Sequence, residues 1–481
     1  MRFAGTAKMT IRGIIHAIVV AALAATVIPQ TATPQAEKLA IVGGTLVDVS
    51  GYGRSTNDIA NAVVLIDGGK IAAVGPASSV AIPPDAKRID ATGTFLVPGL
   101  IDGFGALRTQ GFANAYLYEG VTSVYVATGP PTGGGDHESS ILRTGAPSPR
   151  LFLGAPVTGY SETGADPSDK PMTGHRLHDV RLSDAQLRAR VDRLADRGFR
   201  GLTISYDVWP DQVDTIVAEA SRRGLATIGE LGFTSYPYAV QAGVGALLRN
   251  DNYLTELAPA SAKLARADVL KAGFVGVVRA LCTIDPASSE VKDYGDQLAQ
   301  AHTALMPTLS LEATADLLDI PNPWAARSSM LVKATDLDTP VDPVTGASGF
   351  LLSVAEDRRW YVRQCAYHKE TLDRQLYADG ARYLAGSMAA SYGVMPGSGL
   401  HLELTLLHRI GLSPREALAA ATSNFADVFG WRDVGRVEPG RAADLLLLDA
   451  DPRTDVSAVD HIRTLVFKGA IVDRGALLPA K

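Results

Sequence analysis

With 481 residues the chain can bury a large core, and a large fold with an accessory unit suits it better than one small fold. The formal net charge of −6 comes from mixed charges without long basic runs, which excludes nucleic acid as a partner and leaves a small-molecule ligand or another protein. Two cysteines, Cys282 and Cys365, make no metal-type spacing and read as small buried hydrophobes; an oxidising compartment permits a disulfide between them without requiring one.

At the N-terminus, Arg2, Lys8 and Arg12 precede an apolar run from Ile14 to Ile28, broken only by His16 and Thr26, and then small and polar residues from Pro29 to Thr33. That layout reads as a signal peptide over residues 1–36, with an uncleaved anchor as its alternative. The expectation is an exported protein, periplasmic or extracellular, with no membrane span once the signal is removed.

From Leu39 the pattern is short β. Runs at Leu39–Asp48, Ala62–Ile66 and Lys70–Gly75 surround Asp67-Gly68-Gly69, a hairpin signal because glycine accepts the positive φ of tight turns. Ala443–Asp449 and Thr464–Asp473 supply matching strands, so both chain ends are expected to build one small β-sandwich. Between them, eight strand-length apolar runs end near Asp102, Thr128, Val157, Tyr206, Leu231, Asn250, Ser310 and Met388, each followed by a helix-length amphipathic segment. That size and rhythm predicts an α/β chain with a (β/α)8 TIM-like barrel. Asp211–Arg223 shows the helical stripe in Val213, Ile216, Val217 and Ala220, with Gly224 as its stop. Ser413-Pro414 opens a late helix with a cap and a first-turn proline. Long irregular insertions at 129–150, 158–179 and 318–349 read as loops over one barrel face.

The words at both ends carry a family likeness. Pro98-Gly99-Leu100-Ile101-Asp102 and Asp433-Val434-Gly435-Arg436-Val437-Glu438-Pro439-Gly440-Arg441-Ala442-Ala443-Asp444 resemble the amidohydrolase superfamily, in particular imidazolonepropionase and Xaa-Pro dipeptidase-like metal-dependent hydrolases. The resemblance implies a composite β-sandwich over 37–95 and 431–481, a barrel over 96–430, and a zinc or other divalent site at the strand ends. It places the two histidines of the first strand at Phe104 and Ala106, the bridging lysine at Thr203, two further histidines at Glu230 and Arg249, and the aspartate base at Met388. None of these supplies the family's donor, since a phenyl ring, a methyl group and a guanidinium offer no lone pair and a thioether is no base. The expectation is therefore no metal cofactor.

Candidate catalytic residues are Glu230, Arg249, Asp102 and Asp136, and parallel neighbours about 4.8 Å apart predict an ion pair between Glu230 and Arg249. Asp136-His137-Glu138 reads as a solvated turn or a polar cluster over the mouth, and His175 with His178 as loop residues rather than ligands. His401 and Glu403 belong to a segment resembling the family's structural helix after the eighth strand. The readings that follow are a non-catalytic exported family member with a binding or partner-subunit role, in a homo-oligomer or beside an intact amidohydrolase; a hydrolase of non-peptide C–N or dipeptide bonds with a rebuilt site; or a conventional metal-dependent hydrolase.

Overall fold

A computed structural model describes residues 38–126, 142, 145–160, 180–258, 280–349 and 355–479. The signal-like segment, the Asp136–Glu138 cluster, and His175 with His178 lie outside the described residues.

The first sheet is built from both ends of the chain. Strands β1 (Leu39–Leu46), β2 (Ile59–Asp67), β3 (Lys70–Pro76), β4 (Lys87–Asp90) and β5 (Phe95–Pro98) come from the N-terminal side. The second sheet takes the next eight strands: β6 (Leu100–Gly105), β7 (Val121–Val126), β8 (Arg150–Val157), β9 (Gly201–Ile204), β10 (Ala226–Gly229), β11 (Ala246–Leu248), β12 (Ala304–Met306) and β13 (Arg382–Tyr383). β14 (Leu445–Leu448), β15 (Ile462–Phe467) and β16 (Ala470–Val472) complete the first sheet, whose order is β16-β15-β14-β5-β1-β2-β3 with β4 beside β1. The hairpin expected at Asp67-Gly68-Gly69 joins β2 to β3, with φ of 58° at Gly68 and 78° at Gly69.

The second sheet runs in chain order from β6 to β13, every pair parallel. Its ends meet through backbone: Gly103 N–H donates to the Ala385 carbonyl (3.0 Å) and Met388 N–H to that of Phe104 (2.7 Å). This is the TIM-like barrel the eight-fold rhythm predicts. Alternation decides what faces inward. Ile228, Leu248 and Met306 belong to the interior cluster with Phe104, Tyr125, Phe152, Phe425 and Trp431, while Leu247 and Leu305 face the helices. The Tyr125 ring fixes two glycines. A Cβ at Gly154 would stand 2.2 Å, and one at Gly201 2.7 Å, from its hydroxyl oxygen.

The helix Pro210–Arg223 ends at Gly224 in the left-handed region, and Pro414–Ala420 opens with a Ser413–Glu416 capping box, both as the residues foretell. Segment 318–349 packs over the strands' carboxyl side, where Trp324 Nε1 donates to the Gly393 carbonyl (3.1 Å) and Asp338 N–H to that of Ala390 (2.8 Å). Cys282 and Cys365 form a disulfide, with Cα atoms 5.2 Å apart. Among the described residues no helix is long and apolar enough to cross a membrane.

Candidate functional site

The carboxyl ends of the barrel strands gather charge and strained backbone. Glu230 lies two residues beyond inward-facing Ile228, so the alternation that buries Ile228 aims Glu230 into the mouth. Its Oε1 accepts from the Tyr206 hydroxyl (2.9 Å), Asn252 Nδ2 (3.3 Å) and Arg249 Nη1 (3.5 Å). The expected ion pair therefore forms. Arg249 follows Leu248 by one residue, which strict alternation would turn outward; its φ of 63° redirects it. It also reaches Asp251 through Nε (3.4 Å) and Nη2 (3.3 Å). Burial would lower the Arg249 guanidinium, but Asp251 and Glu230 overcome that and raise it. Burial would likewise raise Asp251, and Arg249 with Lys369 outweighs it to hold this carboxyl below its ordinary value.

A second group sits beside the first. Lys369, buried on the helix Glu356–Ala378, forms an ion pair with Glu312 of the helix Leu309–Ala315. Asn250 Nδ2 donates to Glu312 Oε2 (3.0 Å) and to Asp373 Oδ2 (3.2 Å). Burial pushes the Glu312 carboxyl up against the opposing pull of Lys369. Asp316 is pushed up to about 6 by burial, with Lys369 opposing and Asp251 adding to the rise. Burial also takes Asp373 up to about 6, against hydrogen bonds from Tyr253, Asn250 and Tyr383.

Six of the nine non-glycine residues with positive φ among the described residues are Arg249, Thr308, Leu317, Met388, Ala390 and Tyr392, on segments that follow β11, β12 and β13. Such backbone costs about 1–3 kcal/mol per residue and concentrates where function requires a set geometry.

The other candidate positions fall differently. Phe104 is buried in the interior cluster, and Met388 packs against the same cluster. Ala106 is half-buried, and its carbonyl accepts from the Tyr116 hydroxyl (3.1 Å). Thr203 is buried beside the Tyr125 phenol. Asp102 is wholly buried and clamps the first strand to the last: Oδ1 accepts from Ser387 N–H (2.9 Å) and Phe104 N–H (3.2 Å), and Oδ2 from the Ser387 hydroxyl (2.5 Å). Burial raises its carboxyl and these donors resist. His401 has both ring nitrogens in use, Nδ1 with Asp460 (2.6 Å) and Nε2 with the Glu119 carbonyl (2.8 Å). Asp251, Glu312, Asp316 and Lys369 were absent from the sequence-based candidates. One signal for them exists: Lys369 and Asp373 interrupt the buried stripe Val362, Cys365, Ala366, Leu372 and Leu376.

The sequence model of the amidohydrolase family matches residues 374–472. Over 439 residues, 85% of this chain and 90% of the relative, the chain is 28% identical to an imidazolonepropionase from Symbiobacterium thermophilum (strain DSM 24528 / JCM 14929 / IAM 14863 / T). The chain belongs to the amidohydrolase superfamily. An imidazolonepropionase from Rubrobacter xylanophilus (strain DSM 9941 / JCM 11954 / NBRC 16129 / PRD-1) is 45% identical over 71 residues, so the chain matches only 17% of that relative's length and 14% of its own. Among solved structures, a bottromycin amidohydrolase matches with a TM-score of 0.63 at 18% identity, over 92% of this chain and 88% of that one, a likeness of fold.

Membership corrects one expectation. The residues alone lead to the expectation of no metal cofactor; the amidohydrolase homologues, imidazolonepropionase and prolidase, are metal-dependent, which overturns it. The six positions that the resemblance assigns to metal ligands still do not fit a divalent ion. Glu230 alone offers a carboxylate there, already engaged by Tyr206, Asn252 and Arg249. Among the described residues, no group of three or more His, Cys, Asp or Glu is placed to hold one.

Proposed function

We propose that this amidohydrolase-superfamily chain is an exported hydrolase of non-peptide C–N or dipeptide bonds in small molecules, with Glu230 and Arg249 in its working site. The observation that carries the reading is the strained, charged mouth: Arg249, Thr308 and Met388 hold positive φ at three successive strand ends, around a half-buried carboxylate–guanidinium pair. In hydrolysis a water oxygen bonds to the carbonyl carbon and the C–N bond breaks. Glu230 takes the water proton, the departing amine gains one, and Arg249 faces the negative charge that develops on oxygen. The basic N-terminus with its apolar run supports export, as does the Cys282–Cys365 disulfide, a bond that persists in oxidising compartments.

The test is turnover on a panel of amides, cyclic imides and dipeptides, with Glu230→Gln as the comparison. Loss of a proton acceptor lowers kcat about 10²–10⁴-fold; unchanged turnover in the variant overturns the reading. Metal analysis of the purified chain, before and after chelation, decides whether a divalent ion held by other donors supplies the hydroxide. A second reading is favoured by the donors missing at Phe104, Ala106, Thr203, Arg249 and Met388. It makes the chain a non-catalytic subunit that binds a small molecule in a homo-oligomer or stabilises an intact amidohydrolase. Absence of turnover together with co-purification of such a partner supports it.

A further inference from the structure

Beside Arg249, a cleft with about 30 Å³ of free space is lined by Arg249, Asp251, Glu312, Asp316, Lys369 and Tyr392, among others. We infer that this cleft binds a small ammonium cation, the protonated head group of a primary amine, on Asp316 with Asp251 and Glu312 around it.

The charges lead there first. Asp251, Glu312 and Asp316 face Lys369 and Arg249, and both of these cations are already engaged: Lys369 pairs with Glu312, while Arg249 is shared between Asp251 and Glu230; exposed Arg363 acts on Asp316 through its charge. Asp316 is 1% exposed, and its Oδ1 has no hydrogen-bond partner among the described residues. A buried carboxylate oxygen without a donor is unfavourable, and a bound cation relieves it. Size narrows the cation. About 30 Å³ admits roughly two waters or one ammonium head, not a whole dipeptide. Donor chemistry narrows it again, because an ammonium brings the N–H donor that Asp316 Oδ1 lacks, with further N–H groups to share with the carboxylates beside it. A divalent ion needs clustered ligands, and among the described residues no such cluster exists. Finally, Arg249, Thr308 and Tyr392, all at the cleft, have positive φ, so the backbone is held in the conformation that shapes it.

Hydrolysis of a C–N bond liberates an amine, so the site deepens the hydrolase reading and rests on it for what the amine belongs to. Binding is measured without turnover, so the two fail separately. Isothermal titration of the full chain with ammonium, methylammonium, tetramethylammonium and potassium chlorides, at constant ionic strength, is the test. Saturable one-to-one binding of ammonium and methylammonium is expected, with potassium at least tenfold weaker and no heat from tetramethylammonium, which has no N–H and is too large. Asp316→Asn weakens methylammonium at least tenfold while keeping the circular dichroism of the parent. Glu312→Gln, which keeps the volume and removes a second carboxylate, weakens it as well and serves if the first variant does not fold. No saturable heat from either amine overturns the assignment, as does potassium binding of equal strength or undiminished affinity in the variants.

Discussion

Asp316 and Asp373 hold carboxyls that burial pushes up to about 6, against an ordinary value of 3.8. Because the folded value is the higher one, the folded chain binds more protons than the unfolded chain between about pH 4 and pH 6. Stability therefore declines as pH rises through that window, the reverse of a salt-bridged carboxylate. Asp316→Asn is expected to remove its share of the decline and, in amine-free buffer at pH 7, to raise unfolding free energy by up to about 3 kcal/mol. Urea titrations at pH 4, 5, 6 and 7 read this directly; an Asn variant with the parent's pH slope contradicts the burial assignment. Lys369 behaves differently, since Glu312, Asp251 and Asp316 outweigh its burial and keep it charged.

At the scale of elements, Asp58 ties together segments that are remote in sequence. Arg415 reaches it twice, Nη1 to Oδ1 (2.6 Å) and Nη2 to Oδ2 (2.9 Å), and Arg453 Nη1 adds a third bond (3.0 Å). Arg415 also donates to the Asp48 carbonyl (2.8 Å), so the turn before β2 is joined to the helix Pro414–Ala420. Burial would raise Asp58, but the Arg415 bonds, the Asp48 N–H (2.9 Å) and Arg453 together take it down to about 2. With the folded value depressed, its stabilisation is present above 3.8 and is lost as pH falls toward 2. Arg415→Ala is expected to lose about 1–3 kcal/mol at pH 7 and less at pH 3, where Asp58 of the parent begins to protonate. Equal losses at both pH values contradict it. The elements themselves were largely legible: the Asp67-Gly68-Gly69 hairpin, the Gly224 stop and the Ser413 cap are local signals, decided within one turn of chain. The ion pair of Glu230 and Arg249 was legible too, because adjacent parallel strands deliver their carboxyl ends side by side. The bend that turns Arg249 inward was not, since nothing near Leu248 demands a φ of 63°.

For the whole molecule, the Cys282–Cys365 disulfide closes a loop between residues 83 apart in sequence. Reduction, or Cys365→Ala, is expected to lower unfolding free energy by about 2–4 kcal/mol, read as a shift in denaturant midpoint with and without reductant. An unshifted midpoint contradicts a bond of that standing. Two cysteines with no motif around them left pairing undecided until the helix Glu356–Ala378 brought them together. By itself the sequence determined the barrel and the sheet built from both ends, because alternation and turn chemistry are properties of neighbouring residues. Only the tertiary structure decided that Lys369, Glu312, Asp316 and Asp251 share one cleft and that Asp102 is a clamp. Coulomb forces and burial act through space, and which distant charges face each other depends on how the helices pack.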